Sequence, residues 1–220
     1  MKSSKVTIIQ NILTANDHVA NDISAILKKH NIFSVNIMAS PGAGKTSLIL
    51  QTIRHLSKDL RLGIIEGDTA SVTIDADKVS AVGIPAVQIN TGGQCHLDAS
   101  MVKGALSQFS LDELDLIIVE NVGNLICPAA FKLGTAVNVV IASIPEGDDK
   151  PYKYPGIYHG IDALILNKID LKPYVDFDLE YFRKGIEALN PGIEFFELSC
   201  KTSDGLDEWV SWLRSMTASY

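Results

Sequence analysis

The stretch Ala39-Ser40-Pro41-Gly42-Ala43-Gly44-Lys45-Thr46 decides how this chain folds. An apolar burst, residues 33–39, leads into it, and an amphipathic stretch, 45–57, leads out of it. A glycine-rich turn between a strand and a helix, closed by Gly-Lys-Thr, matches the phosphate-binding pattern G-x-x-x-x-G-K-[ST]. Ala39 stands where that pattern has its first glycine. Gly42 and Gly44 free the backbone to turn its N–H groups onto phosphate oxygens, with Ala43 between them. The helix opening near Lys45 adds the positive end of its dipole. In this reading Lys45 reaches the β- and γ-phosphates and Thr46 offers its hydroxyl to magnesium, and Ser47 beside them is counted among the nucleotide-binding residues.

Outward from that loop, short runs rich in Ile, Val and Leu recur at 62–66, 86–89, 114–120, 137–142, 163–166 and 193–198. Such runs read as strands buried on both faces. Helical patterns fill the gaps, notably 97–106 and 179–189. This alternation predicts a mostly parallel central sheet flanked by helices on both faces, the α/β architecture of P-loop NTPases. Residues 1–30 read as an N-terminal helical extension packed on the domain, and 31–220 as the domain itself. Trp209 and Trp212, three apart in the last helical stretch, read as core packing. In such sheets ligands sit at the carboxyl ends of the strands, and every motif below follows a strand.

The net charge of −7 argues against general affinity for nucleic acid or an anionic membrane. No apolar run is long enough to span a bilayer, and Gln10 and Asn11 break up the N-terminal apolar run, so a cytoplasmic location is expected. Three cysteines, Cys95, Cys127 and Cys200, are too few and too unevenly spaced for a disulfide framework.

Asn167-Lys168-Ile169-Asp170 follows the sixth burst. This N-K-x-D motif resembles the guanine-specificity loop of GTPases. Guanine presents N1–H and N2–H₂ as adjacent donors, which the two oxygens of Asp170 can accept. Adenine would leave that carboxylate facing an acceptor, and buried unpaired polar groups reject a ligand strongly. Lys168 would lie along the base and Asn167 would tie this loop to the phosphate loop. Ser199-Cys200-Lys201 then stands where such proteins carry Ser-Ala-Lys, with Cys200 replacing the alanine. GTP, and GDP after hydrolysis, is therefore the expected nucleotide.

Glu120 ends the fourth burst and Gly123 follows it. A carboxylate there can hold magnesium through water, and a glycine amide can sense the γ-phosphate. Asp68 and Asp75, after the second burst, are both candidates for the switch carboxylate. Asn124 stands where a glutamine would orient the attacking water, and no arginine occupies these loops. Both features predict slow hydrolysis by the lone chain. Lys150 and Lys153 sit in a polar, Pro-rich loop, 146–155. Either one reaches the nucleotide of an opposite subunit, or both are surface lysines.

Cys95-His96 follows the third burst and Cys127 the fourth, so their loops leave the same edge of the sheet. Two thiolates and an imidazole suit zinc or nickel. From spacing alone, small buried cysteines and a loop histidine are the simpler account.

A wider set of motifs bears on that choice. Glu66-Gly67-Asp68, Gln88-Ile89-Asn90-Thr91-Gly92, Cys95-His96-Leu97-Asp98-Ala99, Glu120-Asn121-Val122-Gly123-Asn124-Leu125, Cys127-Pro128 and Glu146-Gly147-Asp148-Asp149-Lys150-Pro151 closely resemble the hydrogenase nickel-incorporation GTPases, the HypB family, within the SIMIBI class. Lys153-Tyr154-Pro155 belongs to the same likeness, which runs from about residue 5 to the C-terminus. The urease accessory GTPases share much of the Glu-Asn-Val-Gly-Asn-Leu stretch but carry a Cys-Pro-His metal motif. The resemblance implies a factor that inserts nickel into apo nickel-iron hydrogenase, that dimerises with GTP, and that works with a HypA-type nickel chaperone. It implies metal at Cys95, His96 and Cys127 near the dimer interface. The chain lacks the family's N-terminal cysteine-rich motif and its histidine-rich stretch, so neither a second N-terminal nickel site nor metal storage is expected. An accessory GTPase for another metalloenzyme such as urease, or a small-molecule P-loop kinase, would share the phosphate loop. The kinase is disfavoured by N-K-x-D and by the lack of an arginine-rich lid.

Overall fold

The structure is a computed structural model and describes residues 4–69 and 83–220, with side chains from Ile12 onward. Asp75 lies outside the described residues. The chain opens with helix α1 (Ser4–Lys29), followed by β1 (Phe33–Ala39), α2 (Lys45–Leu56), β2 (Leu62–Asp68) and β3 (Ala86–Asn90). Then come α3 (Ala99–Leu106), β4 (Leu116–Glu120) and β5 (Val137–Ser143). Two single-turn helices follow, α4 (Lys150–Lys153) and α5 (Pro155–Tyr158), before β6 (Ala163–Asn167), α6 (Leu179–Leu189), β7 (Glu194–Glu197) and α7 (Leu206–Ala218). All seven predicted strands are present. The fourth starts at Leu116, because a 3₁₀ turn, Leu111–Glu113, delivers the chain to it.

The strands form one sheet in the order β3-β2-β4-β1-β5-β6-β7, and every neighbouring pair is parallel. Parallel neighbours need crossovers over a sheet face, so both faces are covered. Alternate residues serve the two faces. In β5, Val139 and Ile141 join the layer under α2 and α7, while Val140 and Ala142 join the layer under α5 and α6. Toward the β3 edge that second layer is closed by α1 and α3 through Ile23, Leu27, Val102 and Leu106. Trp209 of α7 is fully buried and donates its indole N–H to Thr52 Oγ1 of α2 at 2.9 Å. The two helices of the first layer are thereby fixed to each other.

The N-terminal helix is part of this packing. Ala20, Ile23 and Leu27 recur at helical spacing and are buried, which gives α1 an apolar stripe for the sheet. Lys28 and Lys29 fall in its last turn, where the dipole favours cations. Asn31 then takes a left-handed conformation, φ 53°, and the Ile32 N–H returns to the Leu27 carbonyl at 2.9 Å. That closure satisfies a terminal carbonyl and aims the chain into β1. No helix among the described residues is long and apolar enough to cross a membrane.

Truncating Leu27 to alanine leaves a cavity between α1 and the sheet. The expected loss is about 2–5 kcal/mol of unfolding free energy, measured by urea denaturation. A loss under about 0.5 kcal/mol would mean that the extension does not fold with the domain.

Candidate functional site

The carboxyl ends of the parallel strands gather the residues singled out above. The turn between β1 and α2 carries Gly42 at φ 78° and Gly44 at φ 109°. A side chain at Gly44 would also collide: its Cβ would lie 2.3 Å from Asn167 Nδ2. Asn167, buried at the end of β6, donates that amide to the Ala43 carbonyl at 2.9 Å. Its Oδ1 accepts from the N–H of Lys168 at 2.7 Å and of Cys200 at 3.2 Å. Lys168, at φ 63°, donates its ammonium to the Gly42 carbonyl at 2.6 Å. Phosphate loop, N-K-x-D loop and Ser-Cys-Lys loop are thus bonded into one unit. Ser199 Oγ donates to Asp170 Oδ1 at 2.6 Å and accepts the Lys201 N–H at 3.2 Å. Gln51 of α2 holds the Cys200 carbonyl at 2.7 Å.

Two cavities meet along this unit, sharing Gly44 and Ser47. One, of about 370 Å³, is lined by Asn167, Lys168, Asp170, Ser199, Cys200 and Lys201. The other, of about 550 Å³, is lined by Lys45, Thr46, Asp68, Glu120 and Gly123. A base and a triphosphate need two such adjoining spaces. Thr46 Oγ1 lies 3.1 Å from Glu120 Oε1. Magnesium on the Thr46 hydroxyl would therefore have the Glu120 carboxylate at hand to hold one of its waters. Asp68 lines the same cavity. Gly123 abuts the phosphate loop, where a Cβ would come within 3.2 Å of the Pro41 Cα.

Cys95, His96 and Cys127 come together, all three half-buried, with one ligand atom from each lying within 4.8 Å of the others. The sulfurs of Cys95 and Cys127 are 2.7 Å apart, in thiol–thiol contact. Tetrahedral thiolates on one metal stand about 3.8 Å apart, so a small side-chain rotation would seat an ion between them. The contact with Cys95 pushes the Cys127 thiol up from its ordinary range. Burial holds the His96 imidazole below its ordinary pKa, despite Asp98 nearby, which favours the neutral, ligating form. The His96 ring stacks on Phe131 at 4.0 Å. Cys95 also lines the cavity at the glycine-rich turn beside Lys45 and Gly123, so the Cys-His-Cys cluster and that cavity share one wall.

Several side chains that support this arrangement carried no motif of their own. Asn16 of α1 accepts the Ala99 N–H at 2.8 Å and donates to the Lys132 carbonyl at 2.9 Å, tying together the segments after His96 and Cys127. Its polar side chain in an otherwise apolar helical stripe was the available signal. Asn124 does not face the nucleotide cavity. Its Oδ1 accepts the N–H groups of Ile126 at 2.7 Å and Cys127 at 3.3 Å, so it shapes the cysteine turn. Glu146 bridges Ser40 of the phosphate loop at 2.6 Å and Ser143 at 2.7 Å.

The expected Pro-rich loop at 146–155 is corrected in form: Lys150–Lys153 is a helical turn built on the buried Pro151. The Lys150 side chain is 21% exposed and that of Lys153 61%. Both Lys150 and Lys153 pair with Asp149. In this single chain neither lines the nucleotide cavities.

Residues 33–197 match the model of the CobW/HypB/UreG nucleotide-binding domain. The hydrogenase maturation factor HypB of Azotobacter vinelandii is 46% identical over 96% of this chain and 70% of its own length. The crystal structure of HypB from Archaeoglobus fulgidus superposes with a TM-score of 0.87 at 37% identity, covering 93% of this chain and 99% of that one. HypB from Helicobacter pylori, solved in complex with nickel, superposes with a TM-score of 0.88 at 35% identity, covering 93% of this chain and 96% of that one.

Cys200 offers a direct probe of the cavity beside Asp170. Burial pushes its thiol up to about 11. At pH 8 its thiolate population is then about a hundredfold below that of a thiol at 9, so its alkylation by iodoacetamide should be about a hundredfold slower. Peptide mapping of the time course checks this. Reaction at the rate of a free cysteine would place Cys200 outside the pocket wall.

Proposed function

This chain belongs to the CobW/HypB/UreG family, and from that premise we propose that it is a GTP-hydrolysing maturation factor that delivers nickel to apo nickel-iron hydrogenase. The observation that carries the reading is the shared wall: Cys95 of the Cys-His-Cys cluster lines the cavity that also contains Lys45, Thr46, Glu120 and Gly123. A metal cargo and a triphosphate would lie side by side there, close enough for one to bear on the other.

Asp170 reads guanine through its carboxylate, Asn167 fixes the reading loop, and Ser199, Cys200 and Lys201 close the base pocket. Gly42, Ala43 and Gly44 wrap the phosphates, Lys45 neutralises the β- and γ-oxygens, and Ser47 closes the turn. Magnesium, held by Thr46, Glu120 and one of Asp68 or Asp75, would supply charge neutralisation at the γ-phosphate. Water attacks the γ-phosphorus, GDP leaves, and phosphate is released. Asn124 is occupied with the cysteine turn, so nothing on this loop orients the water and the lone chain hydrolyses slowly. Nickel, with zinc as competitor, sits on Cys95, His96 and Cys127. Three ligands leave a four-coordinate site one short. A second chain brought up by GTP completes the coordination, and Lys150 or Lys153 then reaches the partner's nucleotide once released from Asp149. Loss of the γ-phosphate lets Gly123 and its loop relax, moves Cys127, and loosens the metal for transfer. A HypA-type chaperone and the apo-hydrogenase large subunit are the expected partners on either side of that step.

Asp170→Asn should lower GTP affinity by about tenfold or more, since one charged acceptor of two donors is lost, with the fold unchanged by circular dichroism. GTP affinity within error of wild type, measured by calorimetry, would remove Asp170 from the base site.

Nickel affinity should climb steeply with pH, because both thiols must lose protons to ligate. Between about pH 6.5 and 8 the apparent affinity should rise by up to about a hundredfold per unit, two protons leaving per nickel. His96 adds no third proton, since burial keeps it neutral. A nickel titration across that range gives the count. A pH-independent affinity, or one unchanged in Cys127→Ser, would place nickel elsewhere.

A further inference from the structure

The metal cluster and the phosphate site share a wall, but a shared wall does not by itself transmit a loop movement. A chain of side-chain amides, two of them buried and the third half-buried, runs across three neighbouring strands at this point. Asn121, wholly buried just beyond β4, accepts two backbone N–H groups on one oxygen: Leu97 at 3.1 Å and its own neighbour Val122 at 2.9 Å. Leu97 directly follows His96, and Val122 directly precedes Gly123. The amide nitrogen of Asn121 donates to Asn36 Oδ1 of β1 at 3.2 Å, and Asn36 donates to Asn138 Oδ1 of β5 at 3.0 Å.

Leu97 has a second attachment. Its side chain, fully buried, packs so closely on Gly67 that a Cβ there would lie 2.7 Å from it. Gly67 sits between Glu66 and Asp68 at the end of β2. The residue after the metal histidine is therefore held by Asn121 on the γ-phosphate side and rests on the switch-carboxylate strand on the other. A polar side chain placed in an apolar layer costs stability unless every partner is met. Here two of the three partners, Leu97 and Val122, adjoin His96 and Gly123.

We propose that Asn121 is the positioning residue that couples the nucleotide state to the metal site, by making the Leu97 and Val122 backbones move as one. The proposal rests on the reading above, in which nickel and GTP occupy adjoining sites. When Val122 and Gly123 shift on loss of the γ-phosphate, the shared oxygen carries Leu97 with them and turns His96. Cys127 is displaced along its own loop and His96 through Asn121, so two ligands on two segments leave the metal together. The Asn36 end of the chain acts as an anchor: it fixes the Asn121 amide without touching either moving segment.

The test is a nickel titration of the full chain by calorimetry, with magnesium and either a non-hydrolysable GTP analogue or GDP. The readout is the ratio of the two nickel affinities. Wild type should show a ratio of about tenfold or more, the range usual for coupled sites. Asn121→Ala should bring it within twofold of one while nickel still binds at the same stoichiometry. Asn121→Asp keeps an acceptor for both N–H groups, which favour a carboxylate, while the Asn36 amide turns over to donate to it in place of the lost Asn121 N–H; it should retain a ratio within about threefold of wild type. Asn36→Ala loosens the anchor yet leaves the joint, and should lower stability while keeping most of the ratio. Where Asn121→Ala does not fold, Asn121→Ser, too short to span to Leu97, supplies the same readout. By linkage, nickel must shift GTP-analogue affinity by the same factor in each variant. A wild-type ratio of one overturns the coupled-site reading and this proposal with it. A wild-type ratio that survives in Asn121→Ala or Asn121→Ser overturns the role of Asn121 alone. Equal losses in Asn121→Ala and Asn36→Ala reduce it to a structural one.

Discussion

The contact on which the nucleotide site depends is the hydrogen bond from the Asn167 side chain to the Ala43 carbonyl, 2.9 Å long and buried. It exists because residue 44 has no Cβ: the Asn167 amide fills the space that one would take. Through it the end of β6 is joined to the turn after β1, two strands away across β5. The same amide oxygen organises Lys168 and Cys200. A base-reading loop and a phosphate loop that moved independently would bind a nucleotide at the cost of ordering both. Bonded in advance, they present one preorganised surface.

Asparagines support the Cys-His-Cys cluster in the same way, Asn16 and Asn121 buried and Asn124 half-buried. Asn16, Asn121 and Asn124 each spend their side-chain oxygen on backbone N–H groups of the segments that follow His96, Glu120 and Ile126 or lead into Cys127. An amide is neutral, so its burial is cheap once its partners are met, and it carries donor and acceptor together. Such bonds hold irregular backbone near a metal site without adding a competing charge. The N-terminal helix contributes Asn16, which makes it part of the site's framework as well as of the core.

The motifs were legible as chemistry. Gly42-Ala43-Gly44-Lys45-Thr46 announces phosphate binding because only glycines and a helix start can turn that many N–H groups inward. Asn167-Lys168-Ile169-Asp170 announces a guanine reader because a carboxylate matches two adjacent donors. The supporting asparagines were not legible. A lone Asn in an apolar run has many structural uses, and its partners lie far along the chain: Asn16 and Ala99, Asn36 and Asn121, Asn121 and Leu97. Asn124 was read only as the absence of a catalytic glutamine, when its side chain is engaged with the turn at Cys127.

By itself the sequence determined the seven strands, their parallel alternation with helices, and the residue types at each strand end. Those follow from local periodicity and from turn chemistry, which a short window of residues contains. Tertiary structure alone decided that Cys95 and Cys127 touch, that Cys95 faces the phosphate cavity, that Lys150 and Lys153 turn onto Asp149, and that Leu97 joins the metal loop to both Gly67 and Asn121. Apart from the Asp149 pairs, which are local to one helical turn, each of these depends on strand order. With β2 and β4 adjacent, their loops stand side by side at one end of the sheet, and β3 beyond them brings in the Cys95-His96 segment. A pattern in one strand says that it will be buried; only the closing of the sheet says which other strand's loop it will meet.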